Sequence, residues 1–504
     1  MDSYLWKEVQ PNVFQRPCTG QEHSASFNQN IADGHTELSL AMKFDVNIDN
    51  EEELNERIRL AWKASRVRHP EIALELSTDM STPQMMIYRL LEDEEQINKW
   101  MKDTLVICDK IEDCDKVTAV TYNRRLPTPG KQSMLYFIPA NKQRDPQSKH
   151  CIVWNVSHAI TDAFSIIAFM NDLVEEVVLA KPGSQHRFND KPRYALQRLP
   201  ASLVGTYLTK FQPSKEDEEE SISSAREQVA LYEKKLPFSV AMKPRSDHAS
   251  NTHSTHCLFD KFSKAESRRI IANLKMQKMS VTFAAAAATI LAVTDLYGTG
   301  KEQGALLGMT RNARRWLNTQ GADGGAAIPM ATDVVFLWIP FDDNVRSGSN
   351  VSRVLSLARR IRQELAPHLR GPHYMASMQL MCNEYVDTLR KSLPVSKQDE
   401  SLVKENDVPA SPPGFSPQGV LELNKTWEND GIKVIRSEFH HTGRQVNASP
   451  WIGMFSLDEQ LNISIGFDEK YYEPHIIADF FARYKAKLLD LAELKDADQP
   501  QSRL

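Results

Sequence analysis

One stretch, Cys151–Leu173 (CIVWNVSHAITDAFSIIAFMNDL), constrains the fold of this chain more than any other. It opens as an apolar run that reads as a buried strand and ends at His158. It then turns through Ala159–Thr161 and starts a helical periodicity at Asp162, a residue type favoured at helix N-caps. A strand handing over to a helix in so short a space dictates a layered α/β arrangement. It also brings an imidazole and a carboxylate to one turn, a layout that can carry acid–base chemistry.

The H-x-x-x-D spacing alone does not single this turn out, because the chain carries it four times: His158/Asp162, His186/Asp190, His256/Asp260 and His475/Asp479. Context separates them. His186 and Asp190 fall in a polar, charged stretch that reads as surface loop. His256 and Asp260 belong to a plain strand pattern, and His475 and Asp479 form an i, i+4 pair that solvates a helix face. Only His158 follows an apolar strand. Taken by itself, a histidine there also fits a hydrogen-bonded core residue, and Asp162 a simple N-cap.

Around this stretch the chain alternates strands and helices. The first thirty or so residues show no periodicity and read as an arm lying on the body. TELSLAMKFDV (36–46) alternates like a strand. Asn50 and Glu53 have capping-box spacing before a helix that Pro70 must stop, with the short strand IALEL after RHP. Residues 185–224, with HRFNDKPR and SKEDEEESISS, read as a surface crossover between two units, 1–184 and 225–504; a solvated loop or helix inside one unit is the competing reading. In the second unit Ser263 and Glu266 form a capping box, VTFAAAAATILAV is a buried helix, and GALLGMT and DVVFLWIPFD are strands. Residues 392–418 read as an exposed excursion before three closing strands and a terminal helix.

Several functions are disfavoured. A net charge of −5 lacks the basic excess of a nucleic-acid binder. The most apolar run spans 13 residues (281–293), short of the ~20 that cross a bilayer. MDSYLWKEVQ lacks the apolar core of a secretory signal, and six scattered cysteines suit a reduced cytoplasmic protein without disulfides or a zinc site. The group His248, His253, His256 and Cys257 matches no zinc spacing, so no metal is expected. Neighbouring His440 and His441 diverge on a strand, which lets one face inward. Ser157 and His158 likewise point apart, against a nucleophile–base pair. There is no P-loop, dinucleotide-binding glycine motif or nucleophile elbow.

SHAITDA resembles the H-x-x-x-D-G/A motif of the CoA-dependent acyltransferase superfamily, which includes BAHD acyltransferases, peptide-synthetase condensation domains and chloramphenicol acetyltransferase. The likeness extends to TELSLAMKFDV…AWKASRVRHPEIALEL, to SVTFAAAAATILAVTDLYGTGKEQGALLGMTRNARRW and to LNISIGFDEKYYEPHIIADFFARYKAKLL, in the superfamily's order. Within it, the length and the single-histidine motif are most similar to fungal trichothecene 15-O-acetyltransferases. Two features depart from the pattern. Ser157 stands where condensation domains carry a second histidine, and the D-F-G-W-G motif of BAHD enzymes is absent, with PGFSPQGVLEL in that region.

The resemblance implies two similar chloramphenicol-acetyltransferase-like α/β sandwich domains with an active-site tunnel between them. It implies a monomer that esterifies a small-molecule alcohol with acyl-CoA, here acetyl-CoA, as co-substrate and with no bound cofactor. A trichothecene 15-hydroxyl is the acceptor that the narrower likeness implies. His158 then corresponds to the general base and Asp162 to a structural carboxylate paired with Arg311, Arg314 being the fallback. Lys425 and Arg444 are candidates for holding CoA phosphates. An amine acceptor, or a non-catalytic small-molecule binder on the same scaffold, are the competing functions.

Overall fold

The computed structural model describes residues 4–77, 84–109, 113–127, 130–183, 195–196, 198–316, 330–369, 374–392, 410–412 and 414–494. Two six-stranded sheets dominate it. In the first, the order is Thr426–Asn429, Ile432–Gly443, Leu38–Val46, His150–Val156, Ser133–Ile138 and Leu105–Ile107. In the second, it is Thr332–Pro340, Gly304–Asn312, Gly414–Val420, Trp451–Leu457, Gln460–Asp468 and Thr255–Lys261. A smaller four-stranded sheet is built from Lys7–Gln10, Val13–Pro17, Met85–Arg89 and Glu75–Leu76.

The strand His150–Val156 is central and wholly buried, as an apolar run with no polar face requires. Leu38 pairs with Val156 and Phe44 with His150 across its antiparallel neighbour. One sheet face carries Leu40, Met42 and Trp154 under the helices Glu51–Arg68 and Ala163–Leu179. There the ring of Phe169 lies 4.0 Å from Trp154 and meets Trp62 and His69 edge-on. The opposite face packs Ala41, Tyr136 and Val153 against the helix Cys114–Asn123.

The RHP turn ties these helices together. Helix Glu51–Arg68 stops two residues before Pro70, with Asn50 accepting from the Glu53 N–H at its start. Arg68 then binds Asp172 at 2.6 Å, and His69 Nε2 meets the other Asp172 oxygen at 2.7 Å. Both contacts grip the helix that leaves the His158 turn at Asp172, in its second half.

In the second half, the alanine-rich helix Val281–Tyr297 is buried from Ala284 to Val293 beneath Asn350–Leu365 and Pro474–Asp490. Ser263 and Glu266 form the reciprocal capping box that their spacing predicts. Ser263→Ala should therefore cost ~1 kcal/mol of stability, read from the urea midpoint.

Five expectations are corrected. The exposed excursion expected over 392–418 does not reach 418, because Gly414–Val420 is an inner strand of the second sheet, parallel to both neighbours, with Phe415 fully buried. The second unit is not the contiguous 225–504, because Thr426–Asn429 and Ile432–Gly443 complete the first sheet, Gly443 pairing with Leu38 and Val434 with Val46. They cover an edge that Leu38–Val46 would otherwise expose. The N-terminal arm contains a buried helix, Gln21–Ile31, seated against the helix Tyr374–Ser392. The charged run in the presumed crossover is the start of a 21-residue helix, Lys215–Lys235, opened by a Ser214/Asp217 capping box; the residues around His186 and Asp190 lie outside the described set. Cys114 and Cys151, 37 residues apart, form a disulfide where the helix over the sheet brings their Cα atoms to 6.0 Å.

Candidate active site

Every residue from Cys151 to Asp162 is buried except His158, which is partly exposed. The strand ends at Val156 and the chain turns at 158–160 before the helix begins at Ala163. His158 Nδ1 lies 2.9 Å from the Thr161 carbonyl. A carbonyl can only accept, so Nδ1 carries the proton and Nε2 presents a lone pair. The surrounding protein strips water from the imidazole and holds its pKa below the ordinary histidine value; the Asp162 carboxylate and the Thr161 carbonyl oppose that shift.

Asp162 is fully buried and acts in two ways at once. As the N-cap of Ala163–Leu179, its Oδ1 accepts from the Phe164 and Ser165 N–H groups, both at 3.1 Å. From the second half of the chain, Arg314 donates Nη2 to Oδ1 at 2.7 Å and Nη1 to Oδ2 at 3.0 Å, and the Ala331 N–H donates to Oδ2 at 2.8 Å. Arg314 also donates to Ser165 Oγ and lies over the Phe164 ring. The turn bearing His158 is thus clamped at the junction of the two halves.

The expected partner, Arg311, does not make this pair. It is the penultimate residue of the strand Gly304–Asn312, paired there with Asp333, and its Nη1 donates to the His368 carbonyl at 2.9 Å. Only after the strand ends does the short turn Arg314–Trp316 bring a guanidinium to Asp162. Ser165 and the Ala331 N–H escaped residue-type reading, the first as an ordinary helix residue, the second because a backbone donor leaves no mark in sequence.

The remaining candidates disperse. His256 meets Glu469 while Asp260 meets Lys485, and His475 meets Glu473 while Asp479 meets Arg483. His253 contacts Asp468, and no group of three or more potential metal ligands occurs among the described residues. Arg444 is buried on Asp33, which occupies the guanidinium proposed for phosphate. Lys425 is half-exposed, 3.5 Å from Asp458. His441 packs its ring between Phe439 and Phe455, and burial lowers its pKa to about 4; His440 points the other way, beside Phe259. Ser157 turns its hydroxyl away from His158 to Gln29. No single helix among the described residues is long and apolar enough to cross a membrane.

Two halves of the chain, each built on a six-stranded sheet with helices, thus meet at the clamped histidine turn. No protein-family model matches the chain. It is, however, 36% identical over 516 residues to the acyl-CoA-dependent acyltransferase MAC1 of Pseudozyma antarctica (strain T-34), covering 94% of this chain and 93% of that protein. MAC1 of Mycosarcoma maydis is 35% identical, over 94% and 87%. The chain belongs to this family of acyl-CoA-dependent acyltransferases. The solved structure of TRI3 trichothecene 15-O-acetyltransferase from Fusarium sporotrichioides shares the fold with a TM-score of 0.80, over 97% of this chain and 98% of that one, at 18% identity. The first condensation domain of the calcium-dependent antibiotic synthetase shares it at 0.60, over 95% and 96%, at 12% identity.

Proposed function

We propose that this protein transfers an acyl group from acyl-CoA to a hydroxyl of a small metabolite, with His158 as general base. The observation that carries the reading is that His158 alone is partly exposed in an otherwise buried twelve-residue strand and turn, with Nδ1 held by the Thr161 carbonyl. Nε2 takes the hydroxyl proton as that oxygen attacks the thioester carbonyl. The tetrahedral intermediate collapses, breaks the C–S bond and releases CoA thiolate, which recovers the proton from the imidazolium. The thioester is already activated, so the alcohol attacks it directly and no acyl-enzyme forms. A tunnel along the junction of the halves would bring the two substrates to His158 from opposite sides.

For the donor we propose acetyl-CoA and for the acceptor a trichothecene-type 15-hydroxyl, the pair that the narrower likeness implies. The relatives at 35–36% identity are described by acyl-CoA alone. A series of acyl-CoA chain lengths, each offered hydroxylated terpenoids, other polyols and amines, tests donor and acceptor together. CoA release with alcohols and none with amines supports the ester former; release with amines alone identifies an amide former, and no release identifies a binder.

A base whose pKa lies below the ordinary ~6.5 is mostly deprotonated at neutrality. We therefore expect the acid limb of kcat/KM to have its midpoint under ~6.5, with most of the plateau activity kept at pH 7. An acid limb centred above pH 7 would contradict this assignment.

A further inference from the structure

The Asp162 clamp holds the far end of the histidine turn, and a second set of buried groups holds its near end. Ser157 immediately precedes His158 and is fully buried. Its Oγ accepts the Ala159 N–H at 3.1 Å, so the hydroxyl bridges the residues on either side of the imidazole. The hydroxyl proton goes to Gln29 Oε1, from the helix Gln21–Ile31. Gln29 Nε2 in turn donates to Glu37 Oε1 at 2.9 Å, and the other Glu37 oxygen accepts the Leu126 N–H at 2.8 Å. Gln29 and Glu37 are 3% and 1% exposed, so none of these bonds is traded with water.

Burial pushes the Glu37 carboxyl up to about 7, and in its ionised form it can only accept. Turning Gln29 over would then set its oxygen against a carboxylate oxygen and leave the Ser157 hydroxyl proton facing an NH₂. Each group therefore donates toward Glu37, and the aligned bonds strengthen one another. Glu37 adjoins Leu38, the residue that pairs with Val156 at the end of the central strand. The relay thus runs from the sheet, through the N-terminal helix, into the turn. We infer that Gln29, acting through Ser157, is a positioning residue that holds His158 in register with its substrates.

This rests on His158 being the general base, and the test separates the two ideas. Ser157→Ala, Gln29→Met and the double variant are compared with the parent and with His158→Ala in one acyl-transfer assay, with folding followed by urea midpoint. Misplacing a reacting group by about 1 Å can cost up to ~10²-fold, so each single variant should lose about tenfold to a hundredfold in kcat. KM for acyl-CoA and for the acceptor should stay within about twofold, since neither residue forms the binding surface. Because the two residues act in series, the double variant should be no slower than the slower single.

Parent-like kcat in folded single variants, a loss carried by KM, or losses that multiply in the double variant would each overturn the relay. Should Ser157→Ala not fold, Gln29→Met and Gln29→Leu decide through the kcat-against-KM split. If His158→Ala itself keeps parent turnover, the general-base reading fails instead.

Discussion

His158→Ala should lower turnover by ~10²–10⁴-fold, the usual worth of a positioned proton acceptor, while the protein stays folded. The imidazole Nδ1 donates to the Thr161 carbonyl, and the residue is partly exposed. Its loss therefore opens no closed cavity and leaves the Asp162 clamp untouched. His158→Gln sharpens the comparison, because its amide can still donate to Thr161 but cannot take a proton at neutral pH. Both variants should be equally slow with every acceptor, with circular dichroism and urea midpoints near those of the parent. Near-parent turnover in either folded variant would exclude His158 as the base.

This turn was legible from sequence because everything that defines it is local. Apolar residues from Cys151 to Val156 specify the strand, Asp162 caps the helix, and His158 lies between. Features that depend on distant pairing were not legible. Arg311 and Arg314 look equivalent in RNARR, and the choice is made by where the strand stops relative to a helix 152 residues earlier in the chain. The return of Ile432–Gly443 to the first sheet follows from an open edge beside Leu38–Val46, which no window around either strand contains.

The helix Gln21–Ile31 escaped for a different reason. Its buried residues include Glu22, His23, Ser24, Ser26 and Gln29, so it carries no apolar stripe to read. Arg16 makes a two-pronged pair with Glu22, and Gln29 bonds Glu37, which is how such a polar helix can be buried at all. A reading based on hydrophobic period must miss a helix held by polar contacts. In this protein that helix is the one that touches the residue beside His158.

Asp162→Asn should produce the largest loss of stability among these variants, together with a loss of activity. Five donors converge on the two carboxylate oxygens: the Phe164, Ser165 and Ala331 N–H groups and both terminal nitrogens of Arg314. An asparagine must place its NH₂ at one of those positions. At Oδ1 it faces two backbone N–H groups and a guanidinium nitrogen; at Oδ2 it faces the Ala331 N–H and the other nitrogen. Either way donor meets donor, and Arg314 loses its counter-charge in a site that is fully buried on the Asp162 side. Removing one partner of a buried pair costs ~3–5 kcal/mol. The same loosening frees the junction that aims His158, so kcat should fall further than KM rises. Arg314→Met should reproduce much of the destabilisation, and Asp162→Asn/Arg314→Met should be less destabilised than the sum of the singles, because the unpaired guanidinium is gone. Arg311→Met leaves the pair intact and should cost less than either. An unchanged urea midpoint for Asp162→Asn, or equal effects of Arg311→Met and Arg314→Met, would show that the Asp162–Arg314 pair does not hold the two halves together at the histidine turn.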